Sequence, residues 1–139
     1  MPSATAYKYL LDTNIVSALV RDPGGQVMRQ IARAGEDKVC TSIIVACELR
    51  FGAAKKGSPK LTEQVEEVLS VLPVLALEAD ADHRYGALRA DLERAGTPIG
   101  ANDMLIAAHA LSLGLTLVTD NVDEFRRVKG LTLRSWLAR

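Results

Sequence analysis

Cysteine and histidine are scarce. Cys40 and Cys47 are the two cysteines in 139 residues, they form no C-x-x-C pair, and His83 and His109 are the two histidines. A structural zinc site needs four ligands at a recognisable spacing, so this set excludes one. Both cysteines have apolar neighbours and read as buried, reduced thiols. Aromatic residues make up only 4% of the chain, which leaves Leu, Val, Ile and Ala to build the core. No apolar run approaches the roughly 20 residues needed to span a bilayer. The first six residues, Met1 to Ala6, lack the charged and apolar regions of a signal peptide, so the cytoplasm is the expected location. Excess charge is missing too. Seventeen Lys and Arg balance seventeen Asp and Glu, which counts against a dedicated nucleic-acid binder with one basic face. An enzyme whose acidic pocket offsets a basic rim remains compatible.

With 48% hydrophobic and 24% charged residues the composition is globular. Without repeats, low-complexity stretches or a linker, residues 1–139 read as a single domain. Apolar runs at Tyr7 to Leu11, Lys38 to Thr41, Val74 to Leu77, Leu115 to Val118 and Leu131 to Leu133 predict strands. Between them lie helical segments. One follows Asp12, with Asn14 as a cap, and a second carries Val27, Met28 and Ile31. A third spans Ile43 to Lys56 behind Thr41 or Ser42, and a fourth runs from Leu61 to Leu72 with one apolar face. Two more cover Asp80 to Ala95 and the stretch from Ala101 or Asn102 to Gly114, and a short one precedes the last strand. This alternation predicts an α/β fold with a central, mainly parallel twisted sheet flanked by helices on both faces. In such sheets the ligand crevice lies beyond the carboxyl ends of the strands.

Three carboxylates sit at the edges of these apolar runs. Asp12 follows Tyr7 to Leu11, Glu48 follows Ile43 to Cys47, and Asp103 precedes Met104 to Ala108. A carboxylate where a core segment ends must face water, a partner or a metal. Any one of them has an ordinary explanation as a turn, cap or first-turn residue. Three together predict one acidic pocket, suited to hard divalent cations and so to phosphodiester chemistry. No Cys, Ser–His or Lys nucleophile stands out, which leaves activated water as the attacker. His109 lies six residues past Asp103. Six steps of about 100° put it nearly opposite, so it reads as a packing histidine rather than a general base. Arg126, Arg127 and Lys129 form one basic patch, and Lys55, Lys56 and Lys60 another. These read either as solvated surface or as phosphate contacts.

The ordered strings Leu11-Asp12-Thr13-Asn14, Cys47-Glu48-Leu49-Arg50-Phe51-Gly52, Pro98-Ile99-Gly100-Ala101-Asn102-Asp103 and Leu117-Val118-Thr119-Asp120-Asn121 resemble the PIN-domain ribonucleases. Within them the chain is most similar to the VapC toxins of type II toxin–antitoxin pairs, from Leu10 to Trp136. That resemblance implies a PIN-like fold and a metal-dependent endoribonuclease. Its metal-binding acids would be Asp12, Glu48 and Asp103, with Mg²⁺ or Mn²⁺ as cofactor. The family's fourth acid falls between Thr119 and Glu124. The usual position is Asn121 here, and of Asp120, Asp123 and Glu124 the resemblance favours Glu124, supported by Asn121. Thr13, Asn14 and Ser42 match polar residues that orient carboxylates or water, and Arg126 and Arg127 would contact RNA phosphates. The resemblance further implies tRNA as substrate, initiator tRNA cut in its anticodon stem-loop above all. It also implies a homodimer and a cognate VapB-like antitoxin whose C-terminal segment crosses the active site.

Two rival readings stand beside it. A non-catalytic PIN-like scaffold binding RNA or protein would tend to lose acids, and three remain. A phosphatase of the haloacid-dehalogenase type would want a second Asp where Asn14 stands.

Overall fold

The strand Tyr9–Leu11 (β1) runs through the middle of a five-stranded sheet in the computed structural model, which describes residues 6–137. The stretch read for a signal peptide lies almost wholly outside the described residues. The other strands are Val39–Ser42 (β2), Val74–Leu75 (β3), Thr116–Val118 (β4) and Leu133–Arg134 (β5), in the order β3-β2-β1-β4-β5. Every pairing is parallel, with Leu11 opposite Thr41 on one side and Val118 on the other. Leu10 and Leu11 point to opposite faces, and both are fully buried. Both faces are therefore covered, which is why the strands read as unbroken apolar runs. The chain winds from β1 through β2 to β3 in one direction, then returns to place β4 on the far side of β1. That reversal puts the topological switch point, where open α/β sheets bind ligands, between the ends of β1 and β4.

The helices are Thr13–Arg21 (α1), Gln26–Ala34 (α2), Ile43–Lys56 (α3), Pro59–Val71 (α4), Ala81–Ala95 (α5), Ala101–Leu113 (α6) and Val122–Phe125 (α7). Asp12, not Asn14, caps α1, accepting a hydrogen bond from the Thr13 N–H at 2.8 Å. The side chain of Asn14 is engaged elsewhere. Ser42 caps α3 through the Ile44 N–H, and Gly57, with φ of +62°, stops it in the left-handed region. Ser58 caps α4 with Pro59 in its first turn, so this helix begins ahead of the expected Leu61. The third strand is shorter than its apolar run, because only Val74 and Leu75 find partners, at the end of β2.

Cys40 is buried, and desolvation pushes its thiol up to about 12. Cys47 departs from the sequence reading. It lies on the outer face of α3 and is exposed. Helix α6 is enclosed on nearly every side, with Met104, Ile106, Ala107, Ala108, His109 and Ala110 all buried. Its many alanines let α5 and the sheet approach closely, and the helix carries Asp103 at its first turn. No helix among the described residues is long and apolar enough to cross a membrane.

Candidate active site

Asp12 stands at the switch point with 3% of its surface exposed. A carboxylate that deep needs partners for both oxygens. One oxygen accepts from the Thr13 N–H, and the other accepts from the Thr119 hydroxyl at 2.7 Å. Thr119 is fully buried directly after β4, and its oxygen also accepts from the Asn121 N–H at 3.0 Å. Asn14 spans the same junction. Its Oδ1 accepts from the Asp120 N–H at 3.0 Å, and its Nδ2 reaches Thr119 at 3.5 Å. The ends of β1 and β4 are thus laced together by one threonine and one asparagine.

Glu48 arrives from α3. The Thr13 hydroxyl donates to its Oε1 in a short hydrogen bond, and the Asn102 amide reaches Oε2 at 3.5 Å. Glu124 arrives from α7. Its Oε1 accepts from the Gly100 N–H at 3.1 Å, and its Oε2 takes a short hydrogen bond from the Asn121 amide. Asp103, half-buried at the start of α6, faces all three of the others. Burial, then the charge of Glu124, then that of Asp12, raise its carboxyl to about 7, and a proton shared with Glu124 and the charge of Glu48 push the same way. Asp12 is also raised. Burial leads, partly offset by its hydrogen bonds from Thr119 and Thr13, with the charges of Glu48 and Glu124 adding to the rise.

The structure therefore gathers Asp12, Glu48, Asp103 and Glu124 over the switch point, with Thr13, Asn14 and Asn121 bracing them. Of the other late acids, Asp123 points outward to Arg126 at 2.9 Å. Arg127 donates to the Pro98 carbonyl at 3.1 Å.

Ser42 is a correction. It was expected to orient carboxylates or water, but its hydroxyl lies fully buried between the Ile44 N–H and His109 Nδ1, the latter at 2.8 Å. A serine ending a strand can serve a cap or a site, and here the cap wins. His109 faces away from the acids, as its helical phase required. Burial lowers its pKa, and its buried Nε2 makes no well-formed hydrogen bond, although the Ala76 backbone lies close enough to favour the charged ring. Ser42→Ala removes the cap, about 1 kcal/mol, and leaves a buried ring nitrogen unpaired, a further ~1–3 kcal/mol. The expected outcome is a lower urea midpoint with kcat per folded molecule little changed. A loss of activity of about tenfold or more at unchanged stability would return Ser42 to the acid cluster.

Three positions were missed from sequence. Thr119 betrays itself only by ending a strand beside the switch point. Asn102 looked like a helix start. Gly100 contributes a backbone N–H, and a Cβ there would lie 3.2 Å from Asp103 Oδ2, so its lack of a side chain keeps the approach to Asp103 open.

As the side chains stand, no group of three Asp, Glu, His or Cys residues among the described residues forms a ready-made metal cage. The donor set nevertheless fits a hard divalent cation. It is all oxygen, and the charges of Glu48 and Glu124 raise the proton affinity of Asp12 and Asp103, which is the electrostatic signature of acids gathered without a counter-charge.

A parallel sheet with four carboxylates gathered over its switch point defines a PIN-type α/β protein, and the PIN-domain family model matches residues 9–131. Among curated proteins, the chain is 38% identical over 130 residues to Ribonuclease VapC2 of Rickettsia felis, covering 92% of this chain and 97% of that one. It is also 38% identical over 130 residues to the tRNA(fMet)-specific endonuclease VapC of Shigella flexneri, covering 93% and 98%. Among solved structures, the DNA-bound VapBC of Salmonella typhimurium matches with a TM-score of 0.85 at 34% identity, over 94% of this chain and 99% of that one. This chain belongs to the VapC ribonucleases of the PIN-domain family.

Proposed function

We propose that Asp12, Glu48, Asp103 and Glu124 hold a divalent cation, Mg²⁺ or Mn²⁺, and that this site hydrolyses phosphodiester bonds in transfer RNA. The observation that carries the proposal is the convergence of four carboxylates, from the β1–α1 junction, α3, α6 and α7, with the charges of Glu48 and Glu124 raising both Asp12 and Asp103. When bound, a cation of this kind offsets negative charge on the scissile phosphate and makes water a better nucleophile at neutral pH.

The chain's own residues do the rest. Thr119 and the Thr13 N–H fix both oxygens of Asp12, so that carboxylate does not reorganise as charge develops. Thr13 and Asn102 hold Glu48, while Asn121 and the Gly100 N–H hold Glu124. Asp103, which burial and its acidic neighbours raise to about 7, is the acid whose ionised form a bound cation would favour most. Water attacks, because His109 is committed to Ser42 and offers no base to a side-chain nucleophile. Arg126 and Arg127, just past α7, contact RNA phosphates.

The tRNA assignment, initiator tRNA first, is supported by likeness to curated VapC endonucleases named for tRNA(fMet). Likeness to VapBC complexes supports a cognate antitoxin, and the reading extends to a homodimer that acts on RNA in the cytoplasm. A groove of about 230 Å³ beside Glu48, lined by Leu49, Leu61, Val65, Arg21 and Lys56, is the proposed seat of the antitoxin's C-terminal segment.

The test is cleavage of an initiator tRNA transcript by purified protein, with Mg²⁺, with Mn²⁺ and with EDTA, alongside thermal melting. Discrete fragments are expected with either metal and none with EDTA, and metal should raise the melting temperature. Full cleavage after exhaustive chelation would sink the metal-site reading.

A further inference from the structure

We propose that a cationic cavity between α5 and the segment after α7 binds a backbone phosphate of the substrate RNA away from the cut, through Arg84, Arg127 and Lys129. The proposal rests on the RNA-cleaving reading above and adds a substrate subsite to it.

The cavity, of about 190 Å³, is walled by α5, the end of α6 and the segment after α7. Arg84 and Asp91 come from the first, Leu111 from the second, and Arg127, Lys129 and Gly130 from the third. Three cations line it against one carboxylate, in a chain whose total charge is zero. Asp91 is already paired with Arg94 at 2.5 Å, a cation outside the cavity. Arg84 is held only by a 3.5 Å contact with Asp80, both about half exposed, which binds it weakly. Arg127 is the fixed member. One guanidinium nitrogen is tied to the Pro98 carbonyl, leaving the other donors of the fork available to a phosphate.

Position supports the assignment. Arg127 grips the loop at Pro98, and the Gly100 N–H of the same loop grips Glu124. Two residues of extended chain span at most about 7 Å, so one short loop joins Arg127 of the cationic cavity to Glu124 of the acid cluster. A strand reaching the acids over this loop passes close to Arg127. Contacts of this kind set register without reading sequence. A wider cavity of about 640 Å³ at the edge of β5 is the weaker candidate, since Asp120 and Asp123 there balance Arg126 and Arg134.

The experiment uses full-length protein carrying Asp12→Asn, so that RNA is bound and not cut, and an initiator tRNA transcript as probe. Binding is followed by fluorescence anisotropy across a NaCl series. Adding Arg84→Ala and Lys129→Ala should weaken binding about tenfold at low salt and reduce the slope of log K against log[NaCl] by about one to two. With Asp12 restored, the same pair should raise KM and leave kcat unchanged. Arg84→Lys should recover most of the loss due to Arg84→Ala. Arg29→Ala with Arg33→Ala, on α2, should leave the slope as it was. Parent protein that binds the tRNA with a slope unaltered by the Arg84 and Lys129 changes would overturn the subsite alone. Parent protein that neither binds nor cuts the tRNA would overturn the tRNA reading and the subsite with it.

Discussion

Asp12→Asn is expected to fold normally and to cleave RNA on the order of a thousandfold more slowly, with KM little changed. The substitution is nearly isosteric. The Asn carbonyl can still accept from the Thr13 N–H, while its amide meets a Thr119 oxygen that already accepts from the Asn121 N–H, so one buried hydrogen bond weakens at a cost of about 1 kcal/mol. The lost quantity is therefore charge, not packing. A second readout separates this from a trivial folding defect. Asp12 is one of the charges that hold the Asp103 carboxyl near 7, so the variant should show a lower Asp103 pKa in a carboxyl-detected NMR titration. A variant cutting within about tenfold of the parent would remove Asp12 from the chemistry.

Asp103→Asn should do something less usual, which is to abolish cleavage while raising the melting temperature of the metal-free protein at pH 8. The folded chain raises Asp103 from 3.8 to about 7, and raises Asp12 as well. The folded state therefore prefers the protonated carboxyl more than the unfolded state does. That preference stabilises the fold below about pH 4 and is lost progressively as pH rises to about 7. In EDTA the parent's melting temperature should fall between pH 5 and pH 8. The Asn variant should fall less and exceed the parent by about 2–5 °C at pH 8. Mg²⁺ should raise the parent and barely move the variant. Glu66, lowered by Arg50, works in the opposite sense, but that pair is exposed and contributes little. A parent curve in EDTA that is flat or rises with pH would contradict the crowding of these acids.

Much of this arrangement could be read from the chain, and the parts that could not have physical reasons. Asp12, Glu48 and Asp103 announce themselves because each interrupts or borders an apolar run, and burial makes such a charge conspicuous. The parallel sheet follows from strands without polar alternation. The phase of His109 follows from helical geometry alone. Glu124 carries no comparable signal. It sits on α7, a helix of four residues with no periodicity to read, and only likeness to a family singled it out. Its placement depends on the Gly100 N–H and the Asn121 amide, partners brought to it by tertiary structure. Thr119 was invisible for the same reason, since an ordinary strand-end threonine becomes a hub only after β1 and β4 pair. Ser42 was misread because a hydroxyl at a strand end suits a cap and a site equally, and its buried histidine partner lies 67 positions away. Cys47 was misread because apolar neighbours in sequence do not say which face of a helix a residue occupies.

Helix α6 has one further consequence. Asp103 is held at the end of a rod with three alanine methyls in its packing surface: Ala107, Ala108 and Ala110 show at most 1% of their surface. Side chains that small have no rotamers to adjust, so an added methyl or hydroxyl cannot be absorbed locally. The rod itself must shift, and it takes its carboxylate along. Mutational scanning should then find α6 intolerant along its whole buried length, with alanines guarding an alignment in which they take no chemical part.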